Sequence, residues 1–246
     1  MFKRSKKQMK KIGFVCMALF SFSQLVGQTA IFNDLLQKHV TKEGAVDYKN
    51  FNSQKLKKYT AYLEKSTPKK YWSAQKQKAF WINAYNAYTI NLILDARQSR
   101  KLKNSIKNIK RKGKSAWEIP FAKVGGKTYT LNYIEHEILR KNLFDPRIHV
   151  GVNCASSSCP KMSNEAFTED NIDSKLEVLM KNFVNDTLKN KISNKKIQLS
   201  SIFDWFQEDF KKNGTVIEYL NRYSKIKISS NATISYLKYN WTLNEK

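Results

Sequence analysis

The 246-residue sequence predicts an α+β fold, a mainly helical single domain with a small, mostly antiparallel sheet. Three observations carry this. Apolar residues recur at helical spacing through several long stretches, of which 79–94 is the most apolar. Alternating apolar and polar runs are few and short. Helix and strand signals never alternate regularly, which excludes a sheet built from parallel βαβ units. With 41% hydrophobic and 13% aromatic residues the chain can build a core, and wholesale disorder is excluded.

The first 27 residues stand apart from that core. Residues 1–11 carry six basic groups and no acid, an apolar run follows over 12–26, and Gly27 precedes Gln28. This order predicts a secretory signal peptide over 1–27 and leaves 28–246 as the globular domain. The run is short for a membrane span, which needs ~20 apolar residues. A retained signal anchor is the alternative. Lipoprotein processing at Cys16 is disfavoured, because that residue follows Gly13-Phe-Val deep inside the run. The expected location is therefore the periplasm or the extracellular space. Without the leader the formal net charge falls from +25 to +19, because six of the 45 basic residues leave and all 20 acidic ones stay. Such a charge favours anionic envelope components and contact with a membrane surface. Export and the absence of any nucleic-acid-binding signature argue against nucleic acid. A monomer without a cofactor is expected.

Taken in order, Ile31, Phe32, Leu35, Leu36 and Val40 repeat as one face of a helix. A turn and an extended piece follow at 44–48. Ser53 is a cap for a helix that ends before Thr67-Pro68, since a residue preceding proline avoids the helical region. Ser73 is the N-cap of the longest helix, to about Arg97, although Lys76 stands where a capping box wants Glu or Gln. This helix is apolar nearly all round, so it belongs at the centre. Asn83 and Asn86 sit inside it one turn apart. A buried amide without partners costs ~1–3 kcal/mol, so they either clamp neighbouring backbone or line a polar site.

From 97 to 114 nine residues are basic and none is acidic, with Ile106 and Ile109 as apolar anchors. Val124-Gly-Gly-Lys127 is a tight hairpin turn. Asn132 and Glu135 read as a cap pair for a short helix containing Glu135-His136-Glu137, whose adjacent side chains diverge on an α-helix and do not converge on one ion. Further helices begin at Thr168, at Ser201 (burying Ile202, Trp205, Phe206 and Phe210) and near Thr215. Short strands are expected at 197–199 and 233–241. No repeat, low-complexity linker or internal boundary is evident.

The richest stretch in reactive side chains is Asp145-Pro-Arg-Ile-His-Val-Gly-Val-Asn-Cys-Ala-Ser-Ser-Ser-Cys-Pro160. Residues 148–152 read as a strand with Ile148, Val150 and Val152 on one face and His149 on the other. A polar loop then holds both cysteines of the mature chain.

Ala79-Phe-Trp-Ile-Asn-Ala-Tyr-Asn86, Ile134-Glu-His-Glu-Ile-Leu-Arg140 and the Asp145–Pro160 stretch together resemble the family named domain of unknown function 547. Phe203-Asp-Trp205, Asp209-Phe210 and Trp241-Thr-Leu-Asn244 look like its later landmarks, so the resemblance spans nearly the whole mature chain. It implies an exported bacterial member and carries no catalytic residue with it.

The residues themselves point to thiol chemistry. Cys159 at the far end of the loop is the nucleophile expected to face back toward His149 as its base, with Glu135 orienting the imidazole. His136 is the alternative base, and Asn83 or Asn86 an oxyanion donor. The expected reaction is hydrolysis or acyl transfer on a small or peptide-like substrate, in one pocket between the central helix, the Glu135-His136 helix and the cysteine loop. Trp81, Tyr85 and Arg147 complete the binding set. Against this stands a non-catalytic envelope binding module stapled by a Cys154–Cys159 disulfide, expected in an oxidising compartment and worth ~2–3 kcal/mol for so short a loop. A zinc site of His136, His149, Cys154 and Cys159 is the least favoured alternative, and no metal is expected.

Overall fold

The structure, a computed structural model, describes residues 28–100 and 102–246. The expected signal peptide over 1–27, with Cys16, lies outside the described residues. The fold is a mainly helical α+β arrangement with small, mostly antiparallel sheets. Helical residues 28–39 lead into α1 (Ser53–Lys65) and the central α2 (Ala74–Gln98). Hairpins β1–β2 (Lys110–Arg111, Lys114–Ser115) and β3–β4 (Ala122–Val124, Lys127–Tyr129) precede a π-helix, Tyr133–Asn142. Next come α3 (Ile148–Gly151) and α4 (Ile172–Val184). The last part holds β5 (Lys191–Ile192), β6 (Lys196–Leu199), α5 (Ile202–Trp205), α6 (Gln207–Lys211), α7 (Val216–Asn221) and β7 (Thr233–Tyr236). Strand β6 pairs antiparallel with β5 and parallel with β7. Among the described residues no helix is long and apolar enough to cross a membrane.

Helix α2 is buried on nearly every side from Lys78 to Ile93, and each fully buried large apolar side chain contributes ~1.5–3 kcal/mol. Its start follows the sequence: Ser73 accepts from the Lys76 backbone N–H at 3.1 Å. Both internal asparagines clamp backbone. Asn83 donates to the Phe167 carbonyl at 2.7 Å and accepts from the Phe167 N–H at 3.0 Å. Asn86 donates to the Gly151 carbonyl at 2.9 Å and accepts from the Asn153 N–H at 2.8 Å. The two amides thus pin the chain on either side of the cysteine loop to the central helix. The β3–β4 turn is the Gly125-Gly126 pair with φ of 57° and 77°, values that two glycines adopt without strain.

Several local expectations are corrected. Residues 148–152 are not a strand: Ile148–Gly151 is a helical turn with all four residues buried. The cause is the turn that leads into it, Asp145-Pro146-Arg147, in which the proline fixes φ near the helical value and Arg147 is already in the helical region. The Asp145 carboxylate accepts from the Arg147 N–H at 2.9 Å, and its carbonyl from the Ile148 N–H at 3.0 Å. The cap of α1 is Asn52 rather than Ser53. Asn132 makes no capping bond and Glu135 is buried; Thr130 accepts from the Tyr133 N–H instead. The helix after Ser201 breaks at Phe206 (φ −113°, ψ 28°), which leaves Trp205 48% exposed rather than buried. The last strand stops at Tyr236, because the tail beyond it pairs with the cysteine loop: Ser157 N–H donates to the Thr242 carbonyl at 2.7 Å.

Candidate active site

A cavity of about 180 Å³ opens between α2, the π-helix, the cysteine loop and the C-terminal tail. Its polar lining is Tyr85, Asn132, Glu135, His136, His149, Cys154 and Cys159, and its aromatic lining Trp117, Trp205, Phe206, Tyr239 and Trp241. Larger clefts exist among the described residues, but none of them gathers a thiol and an imidazole.

The short helix α3 holds His149 in the core, where its ring stacks on Phe206 at 4.0 Å. Nε2 lies 2.7 Å from Asp209 Oδ2. Arg140 grips the same carboxylate through Nε at 2.6 Å and Nη2 at 2.9 Å. Burial works against the charge on Asp209, yet hydrogen bonds from His149 and Arg140 overcome it and hold the carboxyl below the usual carboxylate range. Burial also pushes the His149 imidazole down, against the pull of Asp209. The ring is therefore neutral near pH 7, donates from Nε2 to the ionised Asp209, and keeps a lone pair on Nδ1. That Nδ1 is buried and has no hydrogen-bond partner.

The π-helix supplies Glu135 and His136. Its wider winding sets consecutive side chains at a smaller angle than in an α-helix, so both reach the cavity while Glu137 pairs with Lys141 outside it. Burial raises the Glu135 carboxyl to about 7, opposed by the hydroxyl of Tyr85, which donates to it. His136 Nδ1 lies 2.9 Å from Arg140 Nη1.

Cys154 and Cys159 are free thiols, without the expected bond between them. Asn153 shapes their loop: its side chain donates to the Pro160 carbonyl at 2.9 Å and accepts from the Ala155 N–H at 2.9 Å. Ala155 takes a left-handed φ of 57°, which turns the chain sharply after Cys154. Cys159 Sγ accepts from the Cys154 N–H at 3.2 Å. Ser156 Oγ and Tyr239 Oη lie 3.1 and 3.2 Å from Cys154 Sγ, and the serine donates to the tyrosine at 2.9 Å. A hydrogen bond from the Cys159 thiol, outweighing burial and aided by these hydroxyls, holds the Cys154 thiol below its ordinary range. Burial and the same sulfur contact push Cys159 up. Of the two, Cys154 carries the thiolate, which reverses the order the sequence suggested.

Other expected site residues lie elsewhere. The amides of Asn83 and Asn86 are bonded to backbone and do not line the cavity, so they offer it no oxyanion donor. Trp81 is buried against Phe80 and Tyr129, and does not line the cavity. Arg147 pairs with Asp145, Asp173 and Glu177 at another cleft. Among the described residues no group of three or more side chains converges to hold a metal ion, so the zinc set is not assembled. Asp209, Arg140 and Tyr239 carry site geometry that local spacing did not reveal, because each acts across the fold. The nearest signal was the Asp209-Phe210 landmark.

A family model described as "Protein of unknown function, DUF547" matches residues 69–184. That span holds α2, the π-helix, α3 and the cysteine loop; Asp209, Tyr239 and the later landmarks fall beyond it. No curated protein and no solved structure matches the chain.

Proposed function

The chain belongs to the domain of unknown function 547 family through residues 69–184, and from that premise we propose a thiol-dependent hydrolase or acyltransferase with Cys154 as nucleophile. The observation that carries this reading is one cavity holding a thiolate-favouring sulfur, an Asp209-anchored imidazole with a free lone pair and a proton-bearing carboxyl. Cys154 attacks the carbonyl carbon of an ester or amide, forming a C–S bond and an oxyanion. The oxyanion collapses, the C–O or C–N bond breaks, and the leaving alcohol or amine takes a proton from neutral Glu135. Water then attacks the thioester while His149 Nδ1 accepts its proton. The C–S bond breaks, the acid leaves, the thiolate returns, and the proton held on His149 passes to Glu135 to restore the resting site. In acyl transfer a second nucleophile replaces the water. The donors to Cys154 are hydroxyl and thiol groups, so His149 serves the second step rather than thiol activation.

The basic leader and apolar run support a site of action outside the cytoplasm, and the charge of the mature chain suits an acyl-bearing envelope component. The test is alkylation by iodoacetamide, mapped by mass spectrometry on folded, unreduced protein across pH. Cys154 is expected to react faster than free cysteine at pH 7, with its rise in rate displaced to lower pH. Two sulfurs that stay silent until a reductant is added would refute the proposal and leave the stapled binding module.

A further inference from the structure

Two histidines share the cavity, and one ion pair fixes the proton on each. Arg140 is permanently protonated and has only donors, so His136 Nδ1, 2.9 Å from its Nη1, must accept. Burial and the Arg140 charge both push the His136 imidazole down, so the ring is neutral and its single proton sits on Nε2. That nitrogen has no hydrogen-bond partner among the described residues, and His136 lines the cavity. The other end of the pair works in the opposite sense. Asp209, kept ionised by Arg140, accepts from His149 Nε2 and leaves Nδ1 with a lone pair. One guanidinium–carboxylate contact thus makes the two rings opposite in character. His149 presents an acceptor, His136 a donor.

We propose that His136 Nε2–H is the oxyanion donor of this site, with Arg140 as the positioning residue that fixes its tautomer. The need for such a group is chemical. Attack by the Cys154 sulfur places a full negative charge on the former carbonyl oxygen, and the nearby Glu135 proton is required by the leaving group. The α2 amides, which the sequence offered for this role, are bonded to Phe167, Gly151 and Asn153. The π winding brings His136 to the cavity wall beside Glu135. A neutral imidazole donates there without a second charge that would compete with Arg140 for Asp209. Removing one such donor costs about 10²–10³-fold in rate. This inference rests on the thiol reading, and it gives His136 a role that the α2 amides, which do not line the cavity, cannot fill.

The test compares two reactions at the same sulfur in the full chain. Acetylation by p-nitrophenyl acetate passes through an oxyanion; alkylation by iodoacetamide displaces iodide and makes none. In His136→Ala the acetylation burst is expected to slow by about 10²-fold while the alkylation rate stays within about twofold. His136→Gln, whose amide N–H can reach the same space, recovers a large part of the loss. An unchanged burst followed by accumulation of acetyl-enzyme would overturn the proposal, because His136 would then only prop the Arg140–Asp209 pair. Equal slowing of both reactions would also overturn it, since the thiol itself would have been disturbed. Wild-type protein whose Cys154 is never acetylated would remove the thiol reading first and this inference with it.

Discussion

Two carboxylates, Asp145 buried and Asp209 half-buried, flank the short helix that carries His149, and they are used differently. Asp145, just before it, accepts from Lys78 Nζ at 2.7 Å and from Arg147 through its backbone N–H, Nε and Nη2. Arg147 spends its remaining donors on Asp173 and Glu177. Burial opposes the charge on Asp145, but these bonds hold its carboxyl at about 2. Every group in the cluster is satisfied by another group of the fold. Asp209, from the distant α6, is gripped as firmly by Arg140 and His149. Its partners, however, keep capacity in reserve: a lone pair on His149 Nδ1 and a proton on His136 Nε2, both on rings that line the cavity. An orphaned buried polar atom costs ~1–3 kcal/mol. A fold that bears this cost at one carboxylate and not at the other has separated a structural cluster from a reactive one.

Exchanging one oxygen for nitrogen at each carboxylate sharpens the contrast. Asp209→Asn is expected to give the largest effect. The amide can no longer accept fully from both His149 and Arg140, the imidazole loses its fixed tautomer, and hydrolysis of the acetyl-enzyme falls about 10³–10⁴-fold. Single-turnover kinetics with p-nitrophenyl acetate measure this directly. Asp145→Asn is expected to act on stability instead. It leaves Lys78 buried without a charge partner, and such broken pairs cost ~3–5 kcal/mol, read as a lower urea midpoint. Turnover per folded molecule should be unchanged.

Glu135 gives the next effect. Its carboxyl is raised to about 7 in the fold, above its unfolded value, so the folded state holds the extra proton. Stability is then full below the unfolded value and is lost as pH rises through the folded one. Wild type should lose on the order of 3 kcal/mol relative to Glu135→Gln between pH 5 and pH 8. Denaturant melts of both proteins at the two pH values decide it, and parallel curves would mean that Glu135 does not hold its proton. The smallest change is expected from Cys159→Ser and Tyr239→Phe. Each weakens or removes a donor to Cys154, so the pH profile of alkylation moves upward and the rate at pH 7 falls by a few-fold.

How much of this was legible in the sequence depends on how far each partner lies along the chain. Ser73 and the Gly125-Gly126 turn are short-range features, and their residue types name their geometry. Asn83 and Asn86 were legible as amides in need of partners, and the partners proved to be backbone 65 to 84 positions away. Asp145-Pro146 carried a helix-start signal, but the alternating Ile148, Val150 and Val152 imitated a strand over a segment too short for periodicity to decide. Asp209 reaches His149 across 60 positions and Tyr239 reaches Cys154 across 85, so no local pattern joins them. The order of the two thiols was equally hidden, because it is set by which sulfur receives protons from its surroundings.

The most direct measurement is the acetyl adduct on Cys154, followed by mass spectrometry after mixing p-nitrophenyl acetate with wild type, Asp209→Asn and Asp145→Asn. Persistent adduct in Asp209→Asn, with prompt release in the other two, is the expected result. Equal release from all three, or equal persistence in both variants, would contradict the division between a saturated and a reactive carboxylate.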